Sequence, residues 1–270
     1  MRSNFHNISN FTIAFLCLFF SAKPSFCELN LATGQEETIL ISEESEIKMG
    51  ESLSKQVEAK MKLDPNYTNQ EKVAAIGQKL AEVSDRKQLV YHFKVLNDDK
   101  ENAFALPGGY VYVYKGLLEK MKTDDQIAAI MAHEMGHICA KHSLKRLQDS
   151  LGYQLLRIMV SQGANDNYTR YRANEAINQL MLSYSRQDEF EADRLAVKYL
   201  KKAGYKPNAM IDALNVLLNS TMEGSAKPKQ YWYTHPYLAA RIGEVRKEIT
   251  GQMDFDDYIN VTDDEEYVVQ

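Results

Sequence analysis

Two histidines and a glutamate stand close together in the segment AHEMGHICAKH, residues 132–142. His133 and His137 are four positions apart, so on a helix both side chains project from one face, about one turn apart. That spacing lets two imidazoles share one tetrahedral metal ion, and Glu134 beside them is placed to take a proton from water at the same site. The pattern predicts a site for one Zn²⁺ per chain, with Glu134 as general base.

A catalytic zinc takes three protein ligands and leaves one position for water. On a continuous helix His142 is turned about 140° away from His137, which predicts a surface residue or an outer hydrogen-bond partner rather than a ligand. The segment SRQDEFEAD, residues 185–193, offers carboxylates instead, because Glu189 and Asp193 share one helix face. Glu189 can bind the metal while Asp193 accepts a hydrogen bond from a liganding imidazole. From spacing alone, a solvated acidic helix face is an equal alternative.

Apolar residues at helical spacing predict the elements that position these side chains. Thr123 and Gln126 form a capping box, which predicts that the helix with His133 begins there and continues to about Leu147. Gly204 marks the end of a second long helix, at residues 170–203, which carries the carboxylates. Further helices are predicted at residues 43–61, 70–83, 207–219 and 239–249.

Segments rich in β-branched and aromatic residues predict strands at residues 89–97 and 110–114. A turn at Pro107-Gly108-Gly109 precedes the second strand, and two strands joined by a tight turn predict a small, largely antiparallel sheet. The expected fold class is therefore α+β, mostly helical, with this sheet packed on the histidine helix. Residues 151–160, LGYQLLRIMV, predict a buried or lid-like helix, since ten residues are too few to cross a membrane.

The composition is that of a globular protein that can bury a core, with 44% hydrophobic residues, 26% charged residues and a formal net charge of −5. No basic stretch is interleaved with aromatic residues, so a nucleic-acid partner is not expected. One domain is predicted at residues 28–250, followed by an acidic tail at residues 251–270. Nothing in the sequence specifies an oligomeric state.

Residues 1–27 have the pattern of a secretory signal peptide. Arg2 precedes the ten-residue apolar run FTIAFLCLFF, and Ser25 and Cys27 place small residues before a cleavage site at Glu28. The mature chain would keep one cysteine, Cys139, which is predicted to be a buried core residue. The pattern predicts a periplasmic or secreted protein without a transmembrane span after signal cleavage. The alternative is a membrane anchor through an uncleaved N-terminus.

Several motifs in order resemble the gluzincin zinc metallopeptidase family that includes the CAAX prenyl protease, HtpX and BepA. They are HEMGH, SRQDEFEAD, and THP with an arginine six residues after its histidine. The segment NAFALPGGYVYVYKGLL is also similar to the one that precedes the zinc helix in that family. The resemblance covers roughly residues 43–249 and implies a zincin-like metallopeptidase fold.

The resemblance also implies roles for individual residues. His133, His137 and Glu189 would be the zinc ligands, Glu134 the general base, and Asp193 an outer partner of a ligand. His235 and Arg241 would lie near the substrate carbonyl or the developing oxyanion, where a positive or hydrogen-bonding group stabilises charge. For His235 the alternative is a loop residue fixed by Pro236. The resemblance further implies an edge strand that binds an extended polypeptide, formed by Asn102, Ala103, Phe104 and Ala105.

HtpX and the prenyl protease carry membrane spans, and BepA continues into helical repeats. The sequence shows neither feature after the predicted signal, so an integral-membrane substrate and a repeat-bound partner are not carried over. The predicted function is a zinc-dependent endopeptidase of the cell envelope that acts on misfolded or unassembled proteins. One alternative is a chaperone-like or latent quality-control protein with a structural zinc site. Another is a mitochondrial inner-membrane peptidase of the OMA type, against which the scarcity of arginine before residue 30 speaks.

Overall fold

The computed structural model describes residues 27–151, 167–222 and 230–252. In chain order the described elements are β1 Cys27–Leu29, β2 Glu36–Thr38, α1 Glu43–Lys60, α2 Tyr67–Ala81, β3 His92–Leu96, β4 Ala103–Leu106, β5 Tyr110–Tyr114, α3 Lys115–Lys120, α4 Asp124–Cys139, α5 His142–Leu151, α6 Asn167–Leu180, α7 Arg186–Ala203, α8 Ala209–Met222, α9 Gln230–Thr234 and α10 Leu238–Thr250. The α+β, mostly helical class is confirmed. The predicted signal peptide apart from Cys27, the predicted lid-like helix beyond Leu151 and the tail from residue 253 lie outside the described residues.

A three-stranded sheet in the order β3–β5–β4 lies at the centre of the fold. β4 and β5 form an antiparallel hairpin across the predicted Pro107-Gly108-Gly109 turn, whose two glycines have φ of +77° and +99°. The sequence pattern predicts residues 89–97 as the other strand at this turn, but the hairpin partner of β5 is β4. β3, however, runs parallel to β5. The prediction of a largely antiparallel sheet is therefore wrong for this pair. Along the chain β4 lies between β3 and β5. Because β4 runs opposite to both of them, β3 and β5 point in the same direction.

Alternating side chains give the sheet two buried faces. Ala103, Ala105 and Val113 face the larger core, which also contains apolar side chains of α2, α4, α7 and α8. Phe104 and Tyr112 face a second core against α1 and α6. The histidine helix α4 thus packs directly on the sheet, as predicted.

Helix α4 begins as the sequence predicts and ends earlier. Thr123 Oγ1 accepts a hydrogen bond from the Gln126 backbone N–H, while the Gln126 side-chain oxygen accepts from Lys122 N–H. The sequence predicts continuation to about Leu147, but α4 ends at Cys139 and the chain turns at Lys141, which has φ +56°. Two helices therefore replace the single predicted helix. Cys139 is buried and has a free thiol, as predicted.

The long helix predicted at residues 170–203 is also divided, into α6 and α7. Ser185 caps α7 through a capping box with Asp188, and Gly204 ends it in the left-handed conformation with φ +80°, as predicted. Within the three described ranges, no helix combines the length and apolar character needed to cross a membrane.

Candidate metal centre

The two helices that carry the predicted ligands are in direct backbone contact. Gly136 in α4 faces Ala192 in α7, and the space between them leaves no room for a Cβ on Gly136. This contact brings the face of α4 with the two histidines against the face of α7 with Glu189. The structure thereby joins residues whose pairing the sequence spacing gives only as one of two equal alternatives.

Four donor groups meet at this helix contact. His133 Nε2 lies 3.1 Å from His137 Nε2 and 3.4 Å from Glu189 Oε2. His137 Nε2 lies 3.5 Å from Glu189 Oε1. The fourth group is His235, which follows α9; its Nδ1 lies 3.1 Å from Glu189 Oε1 and 3.3 Å from His133 Nε2. All four residues are buried, and one donor atom of each lies within 4.8 Å of the others.

The spacing of these atoms fits a tetrahedral zinc ion. Zinc–ligand bonds of about 2.0–2.1 Å place the corners of a tetrahedron about 3.3–3.4 Å apart. The five separations lie between 3.1 and 3.5 Å, with His133 measured to Glu189 Oε2 and the other two histidines to Glu189 Oε1. Imidazole nitrogen and carboxylate oxygen are also donors that zinc prefers. The cluster therefore fits one such ion, and it includes His235, which sequence reasoning places near the substrate rather than among the ligands.

Each of the two helical histidines has a partner on its other ring nitrogen. Asp193 Oδ1 lies 2.7 Å from His133 Nδ1, in the outer position predicted for it. His142 Nδ1 lies 2.9 Å from His137 Nδ1, and His142 is buried. Of the two alternatives for His142, the outer hydrogen-bond partner is the one observed. Such partners fix the ring orientation and leave Nε2 free for a metal.

Tyr184, between α6 and α7, also belongs to the site, although no sequence pattern indicates it. Its ring stacks on the His137 ring with a centroid distance of 3.8 Å and an interplanar angle of 21°. The Tyr184 hydroxyl lies 2.9 Å from Ser143 Oγ, and the Arg146 guanidinium carbon lies 3.8 Å from the Tyr184 ring centroid. The stack restricts the His137 ring on its face.

Glu134 is buried, and neither of its carboxylate oxygens has a hydrogen-bond partner among the described residues. His235 Nε2 lies 3.4 Å from Glu134 Oε1. Burial raises the pKa of Glu134, although His235 and His133 oppose the shift. A carboxylate that lacks a hydrogen-bond partner, has a raised pKa and lies beside a metal-donor cluster has the properties of a general base.

Arg241 is fully buried beside two carboxylates. Its Nε and Nη2 each donate to Asp193 at 2.8 Å, and its Nη1 forms an ion pair with Glu189 Oε2 at 2.7 Å, without hydrogen-bond geometry. Burial acts to raise the pKa of Glu189, but Arg241 and His235 outweigh it and hold that pKa well below its ordinary value. These contacts assign Arg241 to positioning the ligand set. Its role at the oxyanion, which the resemblance implies, stays a prediction.

The same charges act on His133. Burial and Arg241 act to lower the pKa of His133, but Asp193 and Glu189 outweigh them and raise it to about 9. The two carboxylates thus attract positive charge to this side of the cluster. A bound metal cation can balance the negative charge of these carboxylates in place of the proton.

The predicted substrate-binding residues Asn102, Ala103, Phe104 and Ala105 lie on or beside the edge strand β4 and are buried. Tyr114 N–H donates to the Asn102 carbonyl at 2.9 Å. Since inward and outward backbone groups alternate along a strand, Phe104 also faces β5, whereas the backbone groups of Ala103 and Ala105 face away from the sheet. The Ala103 N–H donates to Asn102 Oδ1 at 2.9 Å.

Together the fold and the donor cluster define a zincin-like metallopeptidase domain. Residues 67–249 match the model of peptidase family M48, and the chain belongs to this family. The resemblance stated from the sequence motifs is thereby confirmed.

The relatives include proteins of two groups. Over 230 residues the chain is 28% identical to the Beta-barrel assembly-enhancing protease of Escherichia coli (strain K12). This match covers 80% of the chain and 46% of that protein. Over 177 residues the chain is 28% identical to the Mitochondrial metalloendopeptidase OMA1 of Schizosaccharomyces pombe. This match covers 65% of the chain and 51% of that protein. The chain is also 30% identical over 168 residues to the OMA1 protein of Saccharomyces cerevisiae, with 58% and 46% covered. The chain spans about half the length of these relatives.

Proposed function

We propose that this chain is a zinc-dependent endopeptidase of the cell envelope that hydrolyses peptide bonds of misfolded or unassembled proteins. The observation that carries the proposal is the buried Glu134 carboxylate, which has no hydrogen-bond partner among the described residues and lies beside the cluster of His133, His137 and Glu189. Those three residues would hold the ion. The names of the relatives, a protease and a metalloendopeptidase, support the same reaction class.

Zinc at this site supplies polarisation of the scissile carbonyl and a lowered pKa for water. Glu134 takes the proton from the attacking water and passes it to the leaving amine. Its raised pKa suits both steps, because a strongly acidic carboxyl would not hold the proton. Asp193 keeps the His133 ring in orientation, and Arg241 holds Glu189 and Asp193 together.

The proposed substrate is an extended polypeptide that pairs with β4. The outward backbone groups of Ala105 and the outward carbonyl of Ala103 support this mode, because an added strand forms its hydrogen bonds with such groups. The Ala103 N–H already donates to Asn102 Oδ1. Asn102 stands at the start of the same edge, where Thr234 Oγ1 donates to its side-chain oxygen at 3.2 Å. The edge thus begins beside the segment that carries His235.

A second candidate is a latent or chaperone-like quality-control protein. It is favoured by His235, whose Nδ1 lies within 3.3 Å of both Glu189 Oε1 and His133 Nε2 and so stands where a fourth ligand would. A site with four protein ligands has no position for water, as in structural zinc sites. In this state the protein would retain zinc and not cleave.

The proposed location rests on the apolar run at residues 11–20, interpreted as part of a signal peptide that ends at residue 27. The metallopeptidase domain would then occupy residues 28–250, ahead of the acidic tail. N-terminal sequencing of the protein expressed in its own cells tests this. A start at Glu28 supports export with cleavage, and an intact Met1 supports the alternative of an uncleaved anchor.

The experiment that tests the reaction is hydrolysis of unfolded casein by the wild-type chain, with and without a chelator, beside Glu134→Gln. We expect the variant to keep its zinc and lose about 10²–10⁴-fold in rate, since it lacks a general base. Glu82→Gln, at an exposed position, is the matched control. Near-wild-type turnover by Glu134→Gln contradicts the assignment.

A variant without the fourth donor separates the two candidates. If the wild-type chain is inactive and His235→Asn cleaves casein, the latent state is supported. If neither cleaves casein while both bind zinc, the endopeptidase proposal fails and the structural-zinc alternative replaces it.

A further inference from the structure

The connection between α4 and α5 holds a residue in a costly conformation. Lys141 has φ +56°, in the left-handed region, where the Cβ of a residue other than glycine comes too close to the following carbonyl oxygen. Such a conformation persists only where the surrounding structure fixes it. Its consequence is the direction of His142, which on an uninterrupted helix would point about 140° away from His137. The turn instead brings the two rings together.

A hydrogen-bonded series runs outward from His137. His142 Nδ1 lies 2.9 Å from His137 Nδ1, and His142 Nε2 lies 3.1 Å from Glu191 Oε2. Asp188 Oδ1 stands near the same His142 nitrogen, at 3.4 Å. His142 is 3% exposed and Glu191 8% exposed, so water competes little for these groups.

The donor and acceptor roles along this series are determined from its two ends. If His137 presents Nε2 to a metal as an acceptor, its Nδ1 carries the proton and donates to His142 Nδ1. His142 is then protonated on Nε2, which donates to the Glu191 carboxylate. Each ring nitrogen is then either a donor or an acceptor, and no two donors face each other.

We propose that His142 is a positioning residue for His137 and that Glu191 fixes the tautomer of His142 that this role requires. The inference rests on the proposed function, because it takes His137 to be a zinc ligand. His133 receives its carboxylate directly, from Asp193. Glu191 points to another side of α7 than Glu189, and the His142 ring bridges from it to His137. The strained turn at Lys141 therefore places the His142 ring between Glu191 and His137.

Substitutions at His142 test the proposal through zinc affinity, measured by competition with a chromogenic chelator on the full chain. His142→Phe keeps a ring and removes both hydrogen bonds, and we expect it to weaken zinc binding about 10–100-fold. His142→Gln presents one acceptor and one donor, and we expect affinity within about 3-fold of wild type. Equal affinities for His142→Phe and wild type, or a Gln variant as weak as the Phe variant, overturn the proposal.

A second pair of variants leaves His142 in place. Glu191→Leu is expected to weaken zinc binding about 10-fold, whereas Arg194→Gln, which removes only the 4.0 Å ion pair on the outer side of Glu191, is expected to leave it unchanged. The visible spectrum of the cobalt-substituted protein should change in Glu191→Leu and not in Arg194→Gln. If His142→Phe does not fold, this pair decides the question, and wild-type affinity and spectrum in Glu191→Leu overturn the proposal.

Failure of the proposed function would be recognised separately, with His137→Ala. Full zinc affinity in that variant means that His137 is not a ligand, and the ligand assignment fails together with the inference. Weakened zinc binding in His137→Ala with wild-type affinity in His142→Phe overturns the inference alone.

Discussion

A Cβ on Gly136 would lie 2.7 Å from the Ala192 carbonyl oxygen and 2.9 Å from the Ala192 Cα. Both distances are shorter than van der Waals contact. Gly136 lies between His133 and His137, and Ala192 lies between Glu189 and Asp193, so this contact sets the separation between the imidazoles and the carboxylates. The metal centre therefore depends on a residue that contributes no ligand.

Gly136→Ala should separate α4 from α7. We expect a loss of about 1–3 kcal/mol in the free energy of unfolding, as for other overpacked cores, together with weaker zinc binding, because Glu189 moves away from the histidines. Thermal unfolding and chelator competition measure the two effects. Lys201→Ala, at an exposed position of α7, is the control. Unchanged zinc affinity in Gly136→Ala would show that the ligands tolerate a wider helix spacing.

Arg241→Met should be among the most destabilising single changes in the domain. It removes the guanidinium that pairs with the buried carboxylates of Asp193 and Glu189, and breaking such a pair from one side costs about 3–5 kcal/mol. Denaturant unfolding of the metal-free protein measures the loss.

Two further variants interpret that result. Adding Asp193→Asn to Arg241→Met removes one unpaired charge, so the double variant should lose less than the sum of the two single losses. Lys55→Met, which breaks an exposed ion pair with Glu51, should leave the stability nearly unchanged. Additive losses for Arg241 and Asp193 would mean that their ion pair contributes nothing specific.

The sequence predicts those parts of the site that depend on spacing within one helix. His133 and His137 are four residues apart, as are Glu189 and Asp193, and the structure has each pair directed into one cluster. The meeting of the two pairs depends on helix packing, which neither spacing contains. Only the resemblance to a family supplies it before the structure is known.

The errors have the same cause, because each depends on contacts distant in sequence. No glycine, proline or asparagine marks the break between α4 and α5, and the apolar period continues through Leu144 and Leu147, so the local pattern predicts one helix. The contacts of His142 with His137 and Glu191 stabilise the turn instead. Likewise, β3 and β5 are parallel because another strand separates them in the chain, which a two-strand pattern does not reveal.

Glu189→Ala should weaken zinc binding without abolishing it. His133, His137 and His235 all remain within the donor cluster, and three imidazoles suffice for a zinc site. The double variant Glu189→Ala with His235→Ala leaves two ligands and should lose the metal. Elemental analysis after dialysis against a weak chelator measures both. Complete zinc loss in the single variant would mean that His235 cannot act as a ligand.

The backbone of β4 offers a test of substrate pairing that leaves the metal centre intact. The Ala105 N–H faces away from β5, so Ala105→Pro removes an outward donor and no ladder bond within the sheet, a position where an edge strand accepts proline. If an extended substrate pairs with this edge, the variant should lose about 0.5–1.5 kcal/mol of substrate interaction, or up to about 10-fold in kcat/KM for casein.

Zinc content of Ala105→Pro should stay near wild type, and the variant should lose less stability than one that also loses a ladder hydrogen bond. The contrasting variant is Phe104→Pro, because the Phe104 N–H faces β5 and its loss removes a ladder hydrogen bond, so that variant should be clearly less stable. The comparison distinguishes the backbone groups at the outer edge of β4 from those that pair with β5. Ala105→Pro with unchanged kcat/KM would indicate that substrates bind elsewhere than on the β4 edge.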